Sequence, residues 1–70
     1  MSGSVYKVVE LVGTSTESWE EAARTVVETA SKSLKDLRVV EVTKLDMKID
    51  ANQVVAFRAR VNLSFKYHIT

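Results

Sequence analysis

Seventy residues make one small domain, and a chain of that length buries only about 60% of its unfolded surface. With no cysteine and one histidine, disulfides, thiolate nucleophiles and the usual zinc constellations are excluded, so self-association is the expected source of further stability. Ten basic residues against nine acidic ones give a net charge of +1, and their interspersed signs lack the basic footprint of a nucleic-acid binder.

Residues 1–4 are expected to form a loose terminus ahead of a single domain over 5–67. The run VYKVVELV at 5–12 is β-branched and aromatic and predicts a strand, with Gly13 ending it. The segment LVGTSTESWEEAA then raises three possibilities: a phosphate loop, a nucleophile's turn, or a helix start. A phosphate loop needs further glycines and a Lys-Ser/Thr pair, and a nucleophile elbow needs glycines around its serine. Ser18 followed by Glu21 instead forms a capping box, so the hydroxyl cluster reads as helix-start chemistry.

The spacing predicts a helix over 19–37. Its apolar stripe is Trp19, Ala22, Ala23, Val26, Ala30, Leu34 and Leu37, with acids early and Lys32 and Lys35 late. RVVEVTKLDMKID at 38–50 predicts a second strand whose apolar side switches near Thr43, a sign of a bulge or of a change of environment partway along. Asp50-Ala51-Asn52 is turn chemistry. A third strand over 55–67 alternates cleanly, with Val55, Phe57, Ala59, Val61, Leu63, Phe65 and Tyr67 on one side. Residues 68–70 are expected to be a tail, with His68 in it and not acting as a general base. The class is α+β, a β-α-β-β unit with one helix on a three-stranded sheet. If the third strand lies between the other two, every neighbouring pair is antiparallel. One helix cannot cover strands of this length, so another subunit is expected to. No apolar stretch approaches the ~20 residues that span a bilayer, and MSGSVYK lacks the parts of a secretion signal; the expected location is cytoplasmic, with no membrane and no nucleic acid as partner.

From Val5 to Tyr67 the chain resembles the dodecin family, in VYKVVELVGTSTESWEEAA, in SLKDLRVVEV and in the long third strand ending LSFKY. The segment from Gly13 to Ala22 is the most specific part. The resemblance implies a hollow homododecamer that stores or sequesters a small molecule, typically a flavin such as FMN or riboflavin, without catalysis. Flavin-binding members stack the ring on a tryptophan where this chain has Val39. They hydrogen-bond its edge with a glutamine where this chain has Arg58, and some hold the ribityl chain with a carboxylate where it has Lys44. The flavin pocket is therefore altered: an aliphatic wall replaces the stacking face, and Arg58 offers donors and charge suited to an anion. A non-flavin branch, with a member associated with calcium, shares the valine and the arginine.

Two further readings bear on the site. Trp19 heads the helix's apolar stripe and is expected in the core, not as a flavin platform. Asp46, Asp50 and Asn52 are candidate calcium ligands, although their spacing is not that of an EF-hand loop, and copies of one residue can meet around a symmetry axis. The alternative function is thus a non-flavin shell with a structural or calcium-binding role.

Overall fold

The computed structural model describes residues 3–67; residues 1–2 of the expected terminus, and the tail at 68–70 with His68, lie outside the described residues. The elements follow as β1 (Tyr6–Ser15), α1 (Trp19–Ala30), β2 (Leu37–Asp50) and β3 (Gln53–Lys66). Gly13 does not end β1. The strand runs through it because the glycine is the point where the helix lies closest: a Cβ there would overlap the Ala22 carbonyl oxygen and sit 2.5 Å from Val26 Cγ2. The strand stops at Ser15 instead, whose Oγ accepts the Glu17 N–H at 2.9 Å and the Ser18 N–H at 3.4 Å. Ser18 then caps the helix, its Oγ accepting from the Glu21 N–H at 3.0 Å, as the capping box predicts.

The helix is shorter than the 19–37 expected. The N–H groups of Lys32 and Ser33 turn to the carbonyls of Thr29 and Ala30, three residues back, and so tighten the final turn. Asp36, at φ 61°, then swings the chain into β2. Leu34 and Leu37 continue the helical spacing by coincidence; Leu37 is the first residue of β2. Lys32 and Lys35 fall beyond the helix, so its last turn holds no basic residue to answer the dipole.

The sheet order is β1-β3-β2 and both pairings are antiparallel, as expected for a central third strand. Ala51 and Asn52 join β2 to β3 with φ values of 51° and 62°, a two-residue turn with both residues left-handed. Three irregularities interrupt the β2–β3 ladder, and one leaves Thr43 unpaired between Val42 and Lys44. That is the bulge announced by the switch of apolar side. Thr43 Oγ1 donates to the Arg60 carbonyl across it at 3.1 Å.

Ala59 and Val61 of β3 pack with Ala22 and Val26 of α1 in one buried cluster, and Leu63 and Ala30 are buried as well. The helix lies over β1 and β3 and barely reaches β2. Val40, Val42, Leu45 and Met47, on the helix side of β2, are consequently exposed by 38–53%. The molecule measures 55 × 21 × 14 Å, with a radius of gyration of 14.5 Å against about 11 Å for a compact chain of this length. It is a thin twisted ribbon with a small core and a large uncovered apolar flank.

Candidate functional site

Because side chains alternate across a pleated sheet, the residues opposite the helix follow from the register. On β3 they are Arg58, Arg60, Asn62, Ser64 and Lys66. β2 sets Asp46 beside Arg58, Lys44 beside Arg60, Glu41 beside Asn62 and Val39 beside Ser64; β1 sets Thr14, Val12, Glu10, Val8 and Tyr6 along the other side. All three positions singled out by the family resemblance, Val39, Lys44 and Arg58, thus share the open face of the sheet.

They do not share one pocket within a chain. Lys44 lies opposite Arg60, one same-face step from Arg58. Val39 is paired with Ser64, six residues along β3 from Arg58, or about 20 Å at the usual strand rise. A cavity of about 130 Å³ adjoins Val39, lined by Val27, Leu37, Arg38, Val40 and Leu63, smaller than the ~300–1,000 Å³ usual for a ligand pocket. A larger groove of about 510 Å³ runs between β1 and α1, past Leu11, Gly13, Thr25, Val26, Ala30 and Leu34. None of the three residues lines it; it is space beside an edge strand, where the chemistry is apolar.

The electrostatics of the open face centre on Arg58 and Asp46. The guanidinium grips the carboxylate with two hydrogen bonds, Nε to Oδ1 at 2.6 Å and Nη2 to Oδ2 at 2.9 Å, the fork geometry of strong Arg–carboxylate pairs. These hydrogen bonds, reinforced by the charges of Arg58 and Arg60, hold the Asp46 carboxyl below its ordinary value. The same contact raises the pKa of Arg58. Arg60 Nη1 approaches Glu10 at 3.6 Å, and Asn62 Nδ2 donates weakly to Glu41 at 3.5 Å. Lys44 makes no ion pair among the described residues.

Asp46 and Asp50, the aspartates weighed as calcium ligands, are both on β2 but differ in kind. Asp46 is engaged by Arg58, whereas Asp50 closes the hairpin opposite Gln53. Among the described residues of one chain, no three His, Cys, Asp or Glu side chains converge, so one copy alone does not meet the 6–8 oxygens calcium takes. Trp19 lies on the other side of the sheet. Its ring meets Phe57 edge-on at 5.2 Å and its Nε1–H donates to the Asp46 carbonyl at 2.9 Å, which places it in the packing between helix and hairpin. The contact of Asp46 with Arg58 is what separate readings of the two residues missed.

These features define a small β-α-β-β domain with one helix-covered face and one open, charged face on which Val39, Lys44 and Arg58 are laid out. Residues 5–68 match the family described as Dodecin, and the chain belongs to that family of non-catalytic, small-ligand-binding proteins. It is 43% identical over 63 residues to the calcium dodecin of Mycobacterium tuberculosis, covering 90% of this chain and 89% of that protein. Among solved structures, dodecin from Streptomyces coelicolor superposes with a TM-score of 0.92 at 34% identity over the whole of both chains. Calcium dodecin from M. tuberculosis, described as calcium-chelating with a novel calcium-binding site, superposes with a TM-score of 0.83 at 42% identity over 93% of each chain. No helix among the described residues is long and apolar enough to cross a membrane.

Proposed function

We propose that this protein forms a homododecameric shell of the calcium-dodecin kind, in which bound calcium has a structural or storage role and the flavin pocket is vestigial. The observation that carries the reading is the 43% identity to calcium dodecin over nine-tenths of the chain, joined to the residues at the flavin positions. Val39 has no aromatic face on which an isoalloxazine could stack, and Arg58 already holds Asp46. Since the described residues of one chain do not bring enough carboxylates together, the calcium ligands come from more than one copy. Asp50 is the readier donor; Asp46 serves only by exchanging Arg58 for the ion. The uncovered flank of β2 and the edges of β1 and β2 are the surfaces on which copies meet.

The test is native mass spectrometry of the protein in calcium, in magnesium, and with FMN or riboflavin. The expected result is a twelve-subunit species that gains calcium mass, does not gain magnesium at equal concentration, and ignores flavin. A twelve-subunit species that takes up flavin in pairs and no calcium would restore the flavin-storage reading, with Val39, Lys44 and Arg58 as tolerated variants of its pocket. A monomer or small oligomer would remove both readings.

A further inference from the structure

We infer that Arg58, Arg60 and Lys44 form an oxyanion-binding site on the open face of the sheet, whose resting occupant is the chain's own Asp46 carboxylate. Arg58 presents its Nε and Nη2 edge, and the edge is filled by two carboxylate oxygens at 2.6 and 2.9 Å. A carboxylate in that position is the chemical stand-in for two oxygens of a phosphate, which the same fork accepts. The second observation is independent of this pair. Lys44 stands directly opposite Arg60 across the ladder, and like charges in that position destabilise a sheet. Arg60 finds partial relief from Glu10 at 3.6 Å; Lys44 has no ion-pair partner among the described residues. The Thr43 bulge, anchored to the Arg60 carbonyl, fixes this crowding just beside Arg58. A divalent or trivalent oxyanion that displaced Asp46 would keep both hydrogen bonds of Arg58 and would also neutralise the Lys44–Arg60 repulsion, which the single charge of Asp46 relieves only in part. The ligand class is therefore a small multivalent oxyanion such as phosphate, and Asp46 sets the affinity by competing from within. Nothing in this inference depends on calcium binding.

The probe is inorganic phosphate, titrated calorimetrically at pH 7 and low, constant ionic strength into the assembled protein. Asp46→Asn is expected to tighten phosphate binding severalfold, because the amide no longer competes as an anion. Arg58→Gln is expected to weaken it severalfold. Glu17→Gln makes the same change of charge in the turn before α1 and is expected to change nothing. In the unsubstituted protein, phosphate should shift the Arg58 Nε–H resonance in a nitrogen–proton correlation spectrum and leave that of Arg24 on the helix unmoved; this readout stands even where a variant fails to assemble. Equal gains in the Asp46→Asn and Glu17→Gln proteins would reduce the effect to bulk charge and overturn the site. So would an Arg58 resonance indifferent to phosphate.

Discussion

Gly13→Ala tests how closely helix and sheet are apposed. The residue is buried, pairs with Ala59 in mid-strand, and does not have a left-handed φ, so alanine suits its backbone and only the added methyl matters. That methyl would overlap the Ala22 carbonyl oxygen and lie 2.5 Å from Val26 Cγ2 and 3.2 Å from the Ala22 carbonyl carbon. Two of these three atoms are helix backbone, which no rotamer can move. The helix must lift by roughly 1 Å to restore ordinary contact distances. Overpacking of this kind costs about 1–3 kcal/mol, against a gain of about 0.4–1 kcal/mol from a less flexible unfolded chain. A net loss of about 1–2 kcal/mol corresponds to a fall in melting temperature of about 4–16 °C for a domain of this size. The assay is thermal unfolding at fixed protomer concentration, since association shifts the midpoint by mass action. An unchanged or raised midpoint would refute the reasoning. Adding Val26→Ala to Gly13→Ala should recover only part of the coupling energy in a double-mutant cycle; complete recovery would mean that the Ala22 carbonyl is not in the way.

Four further outcomes are expected. Ser18→Ala removes the cap on the Glu21 N–H and should lower stability by about 0.5–2 kcal/mol in chemical denaturation. Ala51→Asn places a residue tolerant of left-handed backbone where φ is 51°, and should raise stability by up to about 1 kcal/mol in the same assay. Asp46 has its pKa held below the ordinary 3.8 by Arg58; the stability it supplies is present above that value and is lost as pH falls below it. Acid unfolding curves of the native protein and Asp46→Asn should therefore differ near pH 5 and converge in stronger acid, and a constant offset at every pH would count against the pair. Val39→Trp restores an aromatic face, and flavin fluorescence quenching should then report at least a twofold gain in affinity, drawn from the ~0.5–1.5 kcal/mol of aromatic stacking. No gain would mean that the rest of the flavin pocket is gone.

How much of this was legible in the sequence depended on whether the signal was local. The alternation of β3, the Ser18 cap on the Glu21 N–H and the change of face at Thr43 are each written within a few residues, and each is found in the fold. The helix C-terminus misled because Leu34 and Leu37 keep a helical spacing although both lie beyond the helix, and because the break at Asp36 comes without a glycine. Gly13 misled because its purpose is a contact with Ala22 and Val26, which a strand-ending rule cannot see. The Arg58–Asp46 pair was hidden by arithmetic. Counting back from Asp50 opposite Gln53 places Asp46 opposite Phe57, on the wrong face. The irregularity between Lys48 and Ile49, where Val55 is the extra residue, shifts the register by one and brings Arg58 alongside.

The proportions of the elements explain why ligand sites and assembly belong together in the proposed shell. A helix of 12 residues is about 18 Å long, while a strand of 14 residues extends about 46 Å. On β3 only Ala59, Val61 and Leu63 are fully buried, with Phe57 half-buried beside Trp19 at the head of the helix. Beyond it, Ile49, Val54 and Val55 at the hairpin end are exposed by 65%, 49% and 42%, and the helix side of β2 lies open along its length. Lengthening the helix would bury that surface within the chain and abolish the need for neighbours. The short helix instead leaves both sheet edges and the β2 flank open, and in the proposed shell other copies close them. The same separation of about 20 Å along β3 that keeps Val39 from Arg58 in one chain means that a ligand touching both must sit between chains. In the proposed shell the affinity for a ligand would depend on the contacts between copies as much as on the residues that touch it, and a substitution on the apolar flank at Leu45 or Met47 is expected to act on ligand binding from the opposite face of the sheet.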